Sequence, residues 1–296
     1  MGKDKPLFTM KKTTGTNINN KIKTPIWVVE NNHIHPRQDY LTTEEPLEIR
    51  LIAGGVRRTI AITMRTPGND FELATGFLYS EGIITQRQDI RRITHCIDPE
   101  ADPNNRYNIV NVELASELLP EITSLERHFY TTSACGVCGK TSLESLHLRG
   151  CSAIEKTQII SSETICNLPE KLRKAQKVFS TTGGLHAAAV FNFDGELISL
   201  REDVGRHNAL DKLIGTALLN ETLPLNNHII LVSGRSSFEI LQKCLVAGVP
   251  VVCAVSAPSS LAVQLAEEFG ITLIGFLRGQ KFNIYSALER ITTTKN

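Results

Sequence analysis

The feature that most constrains the fold is a pattern that repeats in the second half of the chain. Ile229-Ile230-Leu231-Val232 is a short apolar run, followed by Ser233-Gly234-Arg235-Ser236-Ser237 and a helical stretch ending at Gly248. Val251-Val252-Cys253-Ala254-Val255 repeats the run, followed by Ser256-Ala257-Pro258-Ser259-Ser260 and a second helical stretch ending near Gly270. Ile271 to Phe276 is a third apolar run, closing in Leu277-Arg278-Gly279. Strand–turn–helix twice in succession, with the turn serines at one offset, predicts parallel strands joined by right-handed crossovers. Val178-Phe179-Ser180, Ala187–Phe193 and Glu196–Leu200 read as further strands, and a helix follows Asn208 through Leu210, Leu213, Ile214 and Ala217.

The first half has a different character. Leu47 to Ile52 alternates apolar and polar residues, Gly54-Gly55 turns, and Thr59 to Met64 continues as a second strand. Asp70 is placed to N-cap a helix over Phe71–Ser80 that Gly82 ends. Weaker strands follow, notably Tyr107 to Val112. The expected fold class is therefore α/β and α+β: a mixed α+β N-terminal domain over residues 25–130, and a three-layer α/β domain over 150–296. Between them, residues 131–149 form a glycine-flanked cysteine loop and a following helix. Residues 1–24 are basic and polar and read as a disordered tail.

At 296 residues the chain is long enough for two such domains, and its 41% hydrophobic and 21% charged residues are ordinary for a globular protein. A net charge of +1 points neither to nucleic acid nor to a membrane surface. No run approaches the roughly 20 apolar residues that span a bilayer. The N-terminus has no apolar signal region, and Pro6 stands where a lipidation signal needs Ser or Thr. With seven cysteines, an odd number, a reducing cytoplasmic setting is expected.

In an open sheet with parallel strands, ligands bind beyond the strands' carboxyl ends. Those loops here are SGRSS, SAPSS and FLRGQK. Serines and backbone N–H groups at helix starts, with the guanidinium forks of Arg235 and Arg278, suit an anionic, phosphate-bearing ligand. A second polar string, REDVGRHN (201–208), has five ionisable side chains just before a helix. Asp203, Arg206 and His207 are its candidate participants. His186 follows Gly183-Gly184, but Ala188 stands where a zinc deaminase needs its glutamate, so deamination is not expected.

Cys135 and Cys138 in SACGVCGK (133–140) admit three chemistries. Structural zinc needs four ligands, and the cysteines at 96, 151, 166, 244 and 253 form no second pair of this spacing; Cys244 and Cys253 suit buried positions, and zinc would have to be completed through Cys151 and Cys166. A thioredoxin-type dithiol would need a βαβ setting that is absent around the loop. The third chemistry is a reactive thiol. Thr141-Ser142-Leu143-Glu144 fits a capping box, which places the cysteines before a helix N-terminus and beside Lys140, and both lower a thiol's pKa.

Taken together, EEPLEIRL (44–51), MRTPGNDFELATGFLYSEGII (64–84), SACGVCGK, TGGLHAAAVF (182–191), REDVGRHNALDKLIG (201–215), VSGRSSFEILQK (232–243), VSAPSSLAVQLAEE (255–268) and GFLRGQKFNIYS (275–286) resemble the FdhD family. The resemblance implies a sulfurtransferase needed for formate dehydrogenase activity. A cysteine desulfurase would load a persulfide on Cys135, with Cys138 supporting. The sulfur would pass to the molybdenum cofactor, a bis-molybdopterin guanine dinucleotide bound as client rather than as a resident metal site. The family's cofactor segment maps onto Phe276, Leu277, Arg278, Gly279, Gln280 and Lys281. Ser233, Arg235, Ser256, His186 and His207 are the further candidate cofactor-binding residues. The resemblance also implies a C-terminal fold similar to cytidine deaminases and a homodimer. Two other readings stay open at this point: an escort that binds the cofactor without carrying sulfur, and a zinc-stabilised adaptor.

Overall fold

The structure, a computed structural model, describes residues 19–96, 106–120, 143–148, 150–155 and 158–293. The cysteine loop with Cys135 and Cys138, Lys140, and the Thr141-Ser142 half of the capping box lie outside the described residues, as do residues 1–18. In chain order the elements are β1 (Lys21–Glu30), β2 (His33–Thr42), β3 (Glu45–Ala53), β4 (Val56–Arg65), α1 (Asp70–Ser80), β5 (Ile90–His95), β6 (Ile109–Leu114), α2 (Leu143–Leu148), β7 (Ile160–Ser161), α3 (Ser162–Ala175) and α4 (Phe179–Thr182). There follow β8 (His186–Phe191), β9 (Leu197–Asp203), α5 (Arg206–Leu219), β10 (Ile229–Val232), α6 (Phe238–Val246), β11 (Val251–Ala254), α7 (Ser260–Glu268), β12 (Thr272–Arg278), β13 (Lys281–Ile284) and β14 (Ile291–Thr292).

The N-terminal lobe is a four-stranded sheet in the order β4-β3-β6-β5, with α1 packed on it. The β3–β4 hairpin forms as its alternation predicts, and Gly54 and Gly55 both take positive φ in the two-residue turn. Leu47, Ile49 and Leu51 on β3 meet Leu73, Ala74 and Leu78 of α1 in one buried cluster. Gly82 closes α1 as expected: it has φ +73, and Ile83 N–H donates to Leu78 O at 2.9 Å. Asp70 is not the cap. Asn69 holds the N-cap position with φ 57 and no side-chain bond, while the Asp70 carboxylate takes both arms of the buried Arg65 guanidinium at 3.1 and 3.0 Å. A buried arginine needs a carboxylate more than a surface helix end needs a cap.

The C-terminal lobe is a six-stranded sheet in the order β13-β12-β11-β10-β8-β9. β10, β11 and β12 are parallel, as the repeat predicts, whereas β8 and β13 run antiparallel to their neighbours on either side. Alternate residues of each strand point to opposite faces. Ile230, Val232, Val252 and Ala254 pack under α5, α6 and α7, while Ile229, Leu231, Val251 and Cys253 pack under α3. This gives three layers. Leu146 of α2 joins the α5–α7 side of the core.

Other local expectations are corrected. The ordered chain starts earlier than Pro25, since β1 begins at Lys21. Residues 178–180 are not a strand: Phe179–Thr182 is the short helix α4, because the Glu202 carboxylate accepts the N–H groups of Val178 and Phe179 at 3.1 and 2.9 Å. The strand expected at Glu196–Leu200 runs on to Asp203, and the helix expected after Asn208 starts at Arg206. α3 contains Pro169 and nonetheless continues, its stripe of Ile165, Leu168 and Leu172 buried on the sheet.

The lobes meet where α1 crosses α5. A Cβ on Gly76 would overlap the carbonyl oxygen of Asp211 and stand 2.8 Å from the amide nitrogen of Gly215. Reciprocally, a Cβ on Gly215 would overlap the carbonyl oxygen of Glu72. The two backbones therefore touch, and only glycine fits on either side. Around the crossing, Asp211 Oδ1 takes Lys243 Nζ at 2.7 Å and the Ser80 hydroxyl at 3.1 Å, and Tyr79 O–H donates to Val246 O at 3.0 Å. Gly76→Ala is expected to lower stability by about 3 kcal/mol through overpacking. A denaturant titration of the full chain checks this; an unchanged midpoint would mean that the helices do not cross in backbone contact.

Candidate functional site at the carboxyl ends of the sheet

The parallel strands deliver their loops to one edge, as the sequence predicts. Val255 N–H donates to Val232 O at 3.2 Å, and Ser259 N–H donates to Ser236 O at 3.0 Å, so SGRSS and SAPSS are joined side by side. Phe276 N–H donates to Ser256 O at 3.1 Å, which attaches the third loop. Because β8 is antiparallel to β10, its first residue reaches the same edge. Ala187 N–H donates to Ser233 Oγ at 2.9 Å, and a Cβ on Gly234 would lie 3.4 Å from His186 Nδ1 and 3.5 Å from Arg206 Cδ. Ser233, His186 and Arg206 thus gather around Gly234, with His207 on the adjoining turn of α5.

Each predicted residue can now be placed. His207 Nε2 lies 2.9 Å from Glu239 Oε2 and 3.4 Å from Ser237 Oγ at the start of α6. That hydrogen bond holds the Glu239 carboxyl below its ordinary range. Arg235 is exposed, and Ser256 is half-buried. In FLRGQK, Phe276 has φ +53 and is exposed at 43%, and Arg278, Gly279, Gln280 and Lys281 form the exposed β12–β13 turn. Leu277 differs from the others: it is fully buried in the core under α3 and has no surface to offer a ligand.

Asp203 also departs from expectation. It is fully buried and accepts from Lys212 Nζ at 2.6 Å, Thr66 N–H at 3.1 Å, Gly205 N–H at 2.9 Å and Asn208 Nδ2 at 3.1 Å. Lys212 Nζ in turn donates to Thr66 O at 2.8 Å. Asp203 is therefore a clamp between β9, α5 and the β4–α1 turn, with its lone pairs already taken. It fixes Arg206 and His207 in place without meeting a ligand itself.

The edge is polar and positively biased. Burial, together with the Arg206 and His207 charges, pushes the His186 imidazole below its usual 6.5, against the opposing pull of Asp203. Ser236 Oγ and Arg206 Nε are buried without a hydrogen-bond partner among the described residues, capacity that a bound anion or water would use. Arg206 was already a candidate from the sequence, whereas Ser236 was read only as part of the SGRSS turn. Arg206 opens α5, and Ser236 lies just before the start of α6.

Among the described residues, no three His, Cys, Asp or Glu side chains gather as metal ligands. Cys244 and Cys253 are buried, and burial pushes both thiols up, as expected for inert core cysteines. Cys151 packs on the α5–α7 side of the sheet, whereas α3, which carries Cys166, covers the other. A zinc site using both would have to bridge the sheet.

These features define a two-lobed α/β protein with a polar, positively biased edge at the carboxyl ends of its parallel strands. The chain belongs to the FdhD/NarQ family, whose model matches residues 42–292. It is 51% identical over 266 residues to the sulfur carrier protein FdhD of Streptomyces coelicolor, covering 89% of this chain and 93% of that one. The protein of the same name from Mycolicibacterium paratuberculosis is 52% identical over 256 residues, covering 86% and 93%. That from Sulfurisphaera tokodaii is 46% identical over 266 residues, covering 90% and 97%. The fold is similar to a crystal structure from Desulfotalea psychrophila described as a formate dehydrogenase accessory protein, with a TM-score of 0.71, 24% identity, and coverage of 93% of this chain and 100% of that one.

With its pKa depressed, His186 is neutral in the folded protein just below pH 6.5, where the unfolded chain binds a proton. Its contribution to stability is therefore present above 6.5 and is lost as pH falls through the folded value. An NMR titration of the imidazole should give a midpoint below 6.5, and Arg206→Ala should raise it. A midpoint above 6.5 in the wild type would contradict the electrostatics described.

Proposed function

We propose that this protein is a sulfurtransferase that receives persulfide sulfur from a cysteine desulfurase and passes it to the molybdenum cofactor of formate dehydrogenase. The observation that carries the reading is the joining of three strand-end loops, SGRSS, SAPSS and FLRGQK, into one anion-accepting edge, in a chain about half identical to relatives named as sulfur carriers. The client is a bis-molybdopterin guanine dinucleotide. Its phosphates meet Arg235, Arg278 and Lys281, with Ser233, Ser256, His186 and His207 completing the polar edge.

The Cys135 thiolate attacks the terminal sulfur of the donor persulfide. The donor's S–S bond breaks, the donor departs as a thiolate, and Cys135 carries the new S–S bond. Cys138, three residues on, supports it. The setting is cytoplasmic, in keeping with free, buried Cys96, Cys244 and Cys253 and with the lack, among the described residues, of any helix long and apolar enough to cross a membrane. The working form is a homodimer. The β1–β2 arm, with Trp27, Val29 and Ile34 each about 70% exposed, is an apolar surface for a second copy.

Incubation with a cysteine desulfurase and cysteine, followed by mass spectrometry, should show one added sulfur on Cys135, absent in Cys135→Ala. No adduct would leave a cofactor escort instead. Arg278→Ala should weaken guanine-nucleotide binding about tenfold, the worth of one charge-assisted contact, while persulfide loading stays intact. Equal affinity in calorimetry would remove Arg278 from the site.

A further inference from the structure

α5 and α6 face each other across a ring of alternating charge. His207 and Asp211 stand one turn apart on α5, and Glu239 and Lys243 stand one turn apart on α6. His207 Nε2 meets Glu239 Oε2 at 2.9 Å, and Lys243 Nζ donates to Asp211 Oδ1 at 2.7 Å. The lower pair is sealed. Asp211 and Lys243 are 3% and 8% exposed, the Ser80 hydroxyl of α1 donates to Asp211 at 3.1 Å, and Lys243 Nζ lies 5.8 Å from the centre of the Phe77 ring. The upper pair reaches the surface beside the strand-end loops, where the His207 side chain is 28% exposed. A buried ion pair is thus the floor beneath an imidazole–carboxylate pair at the candidate site.

The chemistry of the upper pair follows from its partners. The His207 hydrogen bond, with the charges of His207, Lys243 and Arg206, holds the Glu239 carboxyl below its ordinary range against the effect of burial. Glu239 is therefore ionised at neutral pH and can only accept, so Nε2 carries the proton in that bond. Ser237 Oγ lies 3.4 Å from the same nitrogen. Nδ1 takes no partner among the described residues. In the neutral ring it holds a lone pair, and in the cation it holds a proton. A carboxylate on one ring nitrogen, with the other left open, is the arrangement that orients an imidazole for acid–base work. The charged groups around the ring are Glu239 and Lys243 of α6, Arg206 and Asp211 of α5, and His186 of β8, with Asp203 of β9 tied to Lys212 behind them.

We infer that His207 is the proton acceptor in the sulfur-transfer step and that Glu239 is its positioning residue. The inference rests on the sulfurtransferase reading above and goes beyond it by assigning the proton. A hydropersulfide, like a thiol, becomes a strong nucleophile only once it is ionised. His207 Nδ1 takes the proton of the terminal sulfur: the S–H bond breaks, an N–H bond forms, and the electron pair stays on sulfur as the persulfide anion. The step moves a proton and no electrons. Glu239 holds Nε2–H in place and balances the imidazolium as it forms, while Lys243, one turn on, holds the Glu239 carboxylate by its charge.

Transfer of radiolabelled sulfur from the persulfide-loaded full chain to saturating reduced molybdenum cofactor, timed from about pH 5 to pH 8, tests this. The wild-type rate should rise with pH through one ionisation. His207→Gln should be about a hundredfold slower and flat across the range. Glu239→Gln should keep the rise and move its midpoint to lower pH, since a neutral amide no longer stabilises the imidazolium; an unmoved midpoint would remove Glu239 as the positioning residue. A second readout needs no variant: nitrogen NMR of the wild type should show the neutral His207 ring protonated on Nε2, with Nδ1 bare. If His207→Gln matches the wild-type rate and profile, or the neutral ring carries its proton on Nδ1, the inference falls and the sulfurtransferase reading stands. If no label passes from the wild-type protein to the cofactor at any pH, both fall.

Discussion

Everything in this molecule depends on the contact between α1 and α5, where Gly76 and Gly215 let two helix backbones touch. Helices normally lie 8–10 Å apart on the side chains between them. Here the spacing collapses, and polar side chains that would otherwise be wet are sealed at the margins. The Asp203–Lys212 pair is fully desolvated, and such pairs persist only when each member is completely hydrogen-bonded. Asp203 meets that condition by gathering two backbone N–H groups, an asparagine amide and the lysine. The result is a rigid link between the N-terminal sheet and the start of α5, which carries Arg206 and His207 to the candidate site.

From that link the chemistry follows a short path. Parallel pairing of β10, β11 and β12 sends three loops to one edge, and the antiparallel return of β8 adds His186. Gly234 leaves room for His186 and Arg206 to approach the β10 loop. Cationic and hydroxyl groups therefore converge without a matching set of carboxylates, since Asp203 is neutralised from behind and Glu239 is engaged by His207. An edge of this kind attracts phosphate. β12 then overshoots the sheet into the β12–β13 turn, which extends the polar surface from the strand ends toward α3.

Much of this was legible from the sequence, and the rest was not for identifiable reasons. The parallel strands, the β3–β4 hairpin, the strand-end loops and the buried Cys244 and Cys253 all follow from periodicity and turn residues, which act over a few positions. α3 was obscured by Pro169, a residue that ordinarily ends a helix, because the burial of Ile165, Leu168 and Leu172 outweighs one lost hydrogen bond. Val178-Phe179-Ser180 looked like a strand because the residue that makes it helical, Glu202, lies in another element. Asp70 and Asp203 read as a cap and a ligand contact. Each is instead bound to a buried cation, five residues away for Asp70 and nine for Asp203, and burial of the cation is not visible in the sequence periodicity.

The central claim is that sulfur travels through this chain to a cofactor held at its strand-end edge. The most direct measurement is a chase: protein loaded with radiolabelled persulfide is mixed with reduced molybdenum cofactor, and label is counted in each. The account predicts that label leaves Cys135 and appears on the cofactor, and that at sub-saturating cofactor it leaves more slowly in the Arg278→Ala variant. Label that remains on the wild-type protein in the presence of bound cofactor would contradict it.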